Sequence, residues 1–253
     1  MKCSLCDATI PTGGSKCPSC GKWQVSNSTA RRNRTRLRDV KTSFVERIVT
    51  EGIGVLAWNG GLPLGCVSLV GGEPGTGKST LMLQVAARTN SCLYVAAEES
   101  DSDIRARAER IGVDVMDRVE VFNALGGAWI NEALDSGPPC QLVILDSLPG
   151  MVGATNNAGA MDVLRKLKQH VVANRSHAIV IDHATKDDFF AGGLNLQHDV
   201  DTTLVMFAEG KDERALVAVK NRHGPSGVKE ELVMTDLGLQ PRPAEEDAKG
   251  RRK

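Results

Sequence analysis

From about residue 60 to residue 200, apolar positions come in short dense blocks separated by longer mixed stretches. The blocks 66–71, 91–97, 119–123, 141–146 (Gln141-Leu142-Val143-Ile144-Leu145-Asp146) and 177–182 (His177-Ala178-Ile179-Val180-Ile181-Asp182) are nearly continuous. Such runs predict strands buried on both faces. The stretches 78–89, 101–111, 127–136 and 158–174 predict helices. In the last of these, Met161, Leu164, Leu167 and Val171 recur at helical spacing, with Arg165, Lys166 and Lys168 off that face. Strands that alternate with helices predict a parallel sheet covered on both sides. After residue 200 the texture changes. Thr202–Phe207, Ala215–Lys220 and Glu231–Thr235 read as antiparallel strands joined by polar turns such as Gly210-Lys211-Asp212-Glu213. The expected fold class is α/β, with a mostly parallel central sheet and antiparallel C-terminal strands, over residues 42–240.

The N-terminus has a different character. Cys3-Ser4-Leu5-Cys6 and Cys17-Pro18-Ser19-Cys20 are two C-x-x-C knuckles with Gly13-Gly14 between them. Cys3, Cys6, Cys17 and Cys20 at this spacing can surround one tetrahedral Zn²⁺. Residues 1–24 hold too few apolar side chains for a core, so metal would supply the folding energy. A redox reading of the knuckles is weaker, because no βαβ pattern surrounds them. Residues 25–41 read as a basic flexible linker and 241–253 as a charged, disordered tail.

Charge sharpens this division. The chain as a whole is neutral, but residues 1–41 carry nine Lys or Arg against two Asp, residues 42–239 carry seventeen basic against twenty-six acidic side chains, and the tail is mildly basic. A basic arm on an acidic body implies either an arm that meets a polyanion or a solvated linker. Hydrophobic content of 41% and charged content of 25% are those of a water-soluble globular protein. The sequence has no run approaching a membrane span and no signal-peptide core, so a cytoplasmic protein without a membrane partner is expected.

The chemistry concentrates in Gly72-Glu73-Pro74-Gly75-Thr76-Gly77-Lys78-Ser79, a full G-x-x-x-x-G-K-[ST] phosphate loop set between a predicted strand and a predicted helix. The glycines let backbone N–H groups face a phosphate chain, and the helix N-terminus, with Thr80 in its first turn, adds partial positive charge. Lys78 can reach the outer phosphates, and the Ser79 hydroxyl can ligate Mg²⁺. Asp146 closes an apolar strand, where a carboxylate holds the same Mg²⁺. Glu98 and Glu99 end the strand after the phosphate-loop helix. There a carboxylate can orient and deprotonate a water, while Ser100 or Asp101 caps the next helix. Glu98 is the expected base, with Glu99 as the alternative. His183, at another strand end, can sense the γ-phosphate. Lys220 and Arg222 have no acidic neighbour in sequence until Glu230. They are expected to complete a phosphate site, within the chain or from a neighbour.

Together these pieces resemble the bacterial RadA/Sms family of RecA-type DNA-repair ATPases. The resemblance runs through the second knuckle with Gly21-Lys22-Trp23, Gly60-Gly61-Leu62-Pro63-Leu64-Gly65, the phosphate loop, Glu98-Glu99-Ser100, and His183, Thr185 and Lys186. It ends with Lys220-Asn221-Arg222-His223-Gly224, where His223 stands in place of the family's Phe. It implies a RecA-like core behind a zinc-ribbon-like module. It also implies a ring, as a hexamer, that binds ATP between subunits, with Lys220 and Arg222 acting on a neighbour's nucleotide. Single-stranded or branched DNA would meet the loops at about 148–160 and after His183, where Lys186 and Phe189-Phe190 lie. The role implied is branch migration in recombination and repair, beside a recombinase partner, with ATP, Mg²⁺ and Zn²⁺ as cofactors. The family's further domain, resembling Lon protease, is expected to be missing. Two rival readings are an ATP-switched DNA- or partner-binding protein with little translocation, and a signalling ATPase resembling KaiC.

Overall fold

The structure is a computed structural model that describes residues 6, 8–9, 17–20, 37–39, 46–48, 59–115, 117–124, 130–153, 157–183 and 196–243. Cys3, Thr185, Lys186, Phe189-Phe190, Gly192-Gly193 and the end of the tail therefore lie outside the described residues. The chain divides into two compact units, residues 1–44 and 45–253. In the first unit, Cys17 is buried against Ala8, and a 3-10 turn spans Leu37–Asp39 within the expected linker.

The second unit is built on a nine-stranded sheet. Its strands are β3 (Cys66–Gly72), β4 (Cys92–Ala96), β5 (Val119–Asn123), β6 (Leu142–Asp146), β7 (His177–Ile181), β8 (Thr202–Ala208), β9 (Glu213–Asn221), β10 (Lys229–Thr235) and β11 (Gly238–Pro241). Their spatial order is β11-β10-β9-β8-β3-β7-β6-β4-β5. A separate two-stranded pair joins β1 (Arg47–Ile48) and β2 (Leu62–Pro63). Helices α1 (Lys78–Ala86), α2 (Asp101–Arg110), α3 (Ile130–Asp135), α4 (Leu148–Val152) and α5 (Asn157–Asn174) and a short helix at Leu196–Asp199 complete the described elements.

Alternation along each strand sends side chains to opposite faces. Leu142 and Ile144 of β6 join the core beneath α1 and α2, with Val70, Ile179 and Ile181. Val143 and Leu145 join the core beneath α3 and α5, with Val67, Leu69, Ala178 and Val180. The helical stripe of α5 delivers Val163, Leu164, Leu167 and Val171 to that second core, while Arg165 and Lys166 pair with Asp162 on the outside. Ser100 is the α2 cap, in a reciprocal capping box with Asp103.

Two features depart from the sequence reading. Thr202–Ala208 is not wholly antiparallel: β8 runs parallel to β3 and antiparallel to β9, so it belongs to both halves of the sheet. A fourth late strand, β11, was not expected. Gln84 of α1 holds it, donating to the Leu239 carbonyl and accepting from the Leu239 N–H, both at 2.9 Å. The amide thus stands in for a neighbouring strand at the sheet edge. Helix α1 is buried almost all round, with Leu81 to Ala86 all buried and the helix packed on β3, β6 and the edge strand β11.

Candidate nucleotide site

The strand ends β3, β4, β6 and β7 converge on one cleft of about 820 Å³. Its walls include Pro74, Gly75, Gly77, Lys78, Ser79, Thr80, Glu98, Asp146 and His183. This is the carboxyl edge of the parallel strands, where open α/β sheets bind ligands. Gly72, Glu73 and Thr76 face a second hollow on the other side of the loop, shared with Met206 and Phe207.

Glycine is required twice in the loop, at Gly72 by a clash with backbone and at Gly77 by its left-handed φ. Gly72 has φ 146°, and a Cβ there would lie 2.4 Å from the Met206 carbonyl oxygen. Gly77, at φ 106°, would place a Cβ 2.5 Å from the Met234 methyl. The loop is therefore wedged against β8 and β10. Arg214 adds a brace, its Nε donating to the Thr76 carbonyl at 3.0 Å.

Lys78 is 5% exposed and curls over the loop, its Nζ donating to the carbonyls of Gly72 (2.7 Å) and Glu73 (2.9 Å). Burial lowers its pKa, and Asp146, Glu98, Asp182 and Glu73 oppose that shift. The fit to a polyphosphate rests on this arrangement: a buried cation held by carbonyls at the N-terminus of α1 can exchange those carbonyls for phosphate oxygens.

Asp146 is buried, which raises its pKa; hydrogen bonds from Tyr94 and Ser79 pull the other way. Tyr94 Oη donates to Asp146 Oδ2 from within β4. The Ser79 hydroxyl and the Asp146 carboxylate thus meet, and two oxygen donors of this kind suit Mg²⁺.

The two adjacent glutamates are separated by their partners. Glu99 forms an ion pair with Arg107. Glu98 instead accepts a hydrogen bond from the Ser147 hydroxyl at Oε1, and its Oε2 lies 3.5 Å from His183 Nε2.

Lys220 and Arg222 do not line this cleft. Lys220 Nζ donates to the carbonyls of Gln197 and Val200, at the end of the Leu196–Asp199 helix. Arg222 Nη1 donates to Asp201 Oδ1 at 3.0 Å, an acidic partner that inspection along the chain overlooked. The register fixes their position. Asn221 pairs with Thr202, Thr202 with Ser68, and Gly72 with Met206, so the cations sit at the sheet edge opposite the phosphate loop. Action on the nucleotide of their own chain is excluded.

Sequence reasoning also missed Arg107, Arg110, Asp212 and Met234–Asp236, which line the cleft, and Tyr94 and Ser147 beneath it. Only Tyr94 gave a signal: it is the lone tyrosine of the chain, set mid-strand, and a buried hydroxyl needs a partner.

In the N-terminal unit the sulfurs of Cys6, Cys17 and Cys20 all lie within 4.8 Å of one another, with Cys6 and Cys17 at 3.6 Å. Zn–S bonds of 2.3 Å at tetrahedral angles put sulfurs about 3.8 Å apart. Backbone N–H groups of Cys20 and Ser19 and the neighbouring thiols lower the Cys17 pKa to about 7. Three soft donors in this arrangement fit zinc.

Residues 32–189 match the AAA domain family. The chain belongs to that family. The curated proteins similar to this AAA-domain chain include the DNA repair protein RadA of Bacillus subtilis, 29% identical over 94% of this chain and 58% of that protein. The RadA proteins of Pseudomonas aeruginosa (31%, over 94% of this chain and 58% of that one) and Aquifex aeolicus (31%, 89% and 55%) match similarly. The chain therefore spans a little over half the length of these relatives, and the sequence resemblance to RadA stands. A KaiC-like protein from Pyrococcus horikoshii shares the fold, with TM-score 0.63 over 79% of this chain and all of that one, at 18% identity. The AAA-domain chain thus carries a RecA-like P-loop ATPase fold. No described helix is long and apolar enough to cross a membrane.

Proposed function

We propose that this AAA-domain chain is a DNA-dependent ATPase of RadA type that acts as a ring of identical subunits on single-stranded or branched DNA. The observation that carries the reading is the convergence of Lys78, Ser79, Asp146 and Glu98 on one cleft, in a chain similar to RadA along nearly its whole length. Glu98 is the base. It takes a proton from the water that attacks the γ-phosphorus as the bond to the β,γ-bridging oxygen breaks, releasing ADP and phosphate. Glu99 is already committed to Arg107, which favours Glu98 of the pair. Lys78 leaves the Gly72 and Glu73 carbonyls for phosphate oxygens. Mg²⁺, held by Ser79 and Asp146, supplies charge neutralisation on the phosphates. Zn²⁺ on Cys3, Cys6, Cys17 and Cys20 stabilises the N-terminal unit.

Lys220 and Arg222 serve the nucleotide of an adjacent subunit. Their engagement at the far edge of their own sheet supports this, and it also favours a second reading, an ATP-switched binding protein with little turnover outside an assembly. ATP turnover with and without single-stranded DNA, beside a size measurement with ATP, tests both. The motor reading expects a ring and a several-fold rise with DNA. ATP-driven assembly with no DNA-dependent rise would establish the switch instead.

A further inference from the structure

The side chain of Glu98 is gripped from the segment that follows Asp146. Ser147 is completely buried, and its hydroxyl has two engagements: it donates to Glu98 Oε1 and accepts the N–H of Gly150, at 3.3 Å, as the cap of α4. Gly150 lies flat against the same glutamate. A Cβ built there would be 2.7 Å from Glu98 Cγ and 3.2 Å from the Ala97 Cβ. One turn of helix is therefore fixed to the side chain of Glu98 by a hydrogen bond and by a contact that a methyl group enters only by displacing the glutamate. Helix α4 opens the 148–160 stretch, and Leu148 anchors it in the core beneath α5. A shift of α4 has to move the Glu98 carboxylate or break its hydrogen bond.

We infer that Ser147 is a positioning residue for Glu98, and that α4, capped by the same hydroxyl, is the element that holds it in place. The inference rests on the assignment of Glu98 as base. A carboxylate held by a hydroxyl donor loses one rotational freedom, and its second oxygen, here Oε2, is held 3.5 Å from His183 Nε2 at the cleft wall. Charge-assisted hydrogen bonds of this kind are the strong ones.

Four variants of the full chain test it: Glu98→Gln, Ser147→Ala, Ser147→Thr and Gly150→Ala. Each is assayed for kcat and KM for ATP and for binding of a fluorescent ATP analogue. Ser147→Ala is expected to lower kcat at least tenfold and to leave KM and analogue binding within about twofold, with Ser147→Thr restoring part of kcat because it keeps the hydroxyl. Gly150→Ala favours the helix itself, so the variant should fold and bind the analogue. It is expected to lower kcat as Ser147→Ala does, since the added methyl displaces Glu98 from α4. Normal kcat in both Ser147→Ala and Gly150→Ala, with Glu98→Gln inactive, would overturn the inference and leave the base assignment standing. A fall in kcat matched by lost analogue binding would show a merely structural role. An active Glu98→Gln would instead remove the base assignment itself.

Discussion

His177 opens β7 and is completely buried. Its Nδ1 lies 2.7 Å from the Pro63 carbonyl and its Nε2 2.9 Å from the Ser68 hydroxyl. A carbonyl only accepts, so Nδ1 carries the proton, and Nε2 accepts from Ser68: the ring is neutral. Burial lowers its pKa to about 4, against the pull of the Pro63 carbonyl and Asp201, with His223 and Arg47 adding to the depression. In the unfolded chain the ring protonates near pH 6.5. The unfolded state therefore binds more protons than the native state between these two values. The contribution to stability is complete above pH 6.5 and disappears as pH falls through about 4. At about 1.4 kcal/mol per pH unit, the loss reaches about 2 kcal/mol by pH 5 and about 3 kcal/mol below pH 4. His177→Gln keeps an amide for Pro63 but does not titrate. Urea unfolding followed by far-ultraviolet circular dichroism, at a series of pH values from 7.5 to 5, should show the native protein losing about 2 kcal/mol more than the variant. The variant starts lower at pH 7.5 and the gap narrows with acid. Stability curves that run parallel from pH 7.5 to 5 would refute the assignment of a buried neutral ring beside β3, the strand that leads into the phosphate loop.

Two further outcomes are expected. Lys78→Ala should lose ATP hydrolysis and most ATP binding, and mixing it with equally inactive Arg222→Ala subunits should restore some turnover, because some interfaces then pair an intact loop with an intact arginine. Mixed rings that stay inactive would count against action across subunits. Elemental analysis of protein purified without chelator should find one zinc per chain, and Cys17→Ser should lower that content; a metal-free preparation with a folded N-terminal unit would contradict the zinc assignment.

The parts legible in the sequence were those whose chemistry is local. A phosphate loop needs its glycines and lysine within eight residues, and a doubly buried strand announces itself as an apolar block, so β3, β4, β6, β7, Lys78 and Asp146 could be read directly. What escaped depends on contacts between distant elements. The direction of β8 is set by the connection that brings the chain back beside β3, and nothing in Thr202–Ala208 itself encodes it. Asp201 neutralises Arg222 across the β8–β9 pairing, twenty-one residues away in sequence, where a scan for neighbouring acids does not look. The grip of Ser147 on Glu98 spans forty-nine residues. Helix α1 hid its environment differently: Leu81 to Ala86 show no apolar stripe because β11 covers the side that would otherwise face water.

The sheet topology ties the proposed chemistry to assembly. The phosphate loop leaves β3 at Gly72, level with Met206 of β8. Strand β9 runs back antiparallel, so that Lys220 is level with Thr203, three residues before Met206. At about 3.3 Å per residue that is roughly 10 Å along the sheet, and Arg222 lies two residues farther on. Both side chains then turn away, towards the carbonyls and carboxylate at 197–201. No rotamer of either residue recovers that distance while β9 stays in the sheet. A neighbour placed head to tail brings one subunit's far edge against the next subunit's cleft, and such heterologous contacts close into rings when the rotation permits. In that arrangement the cations that stabilise transferred charge are present only at completed interfaces. On the proposed reading, breaking the Arg222–Asp201 pair, 3.0 Å long in the single subunit, would be part of forming the site.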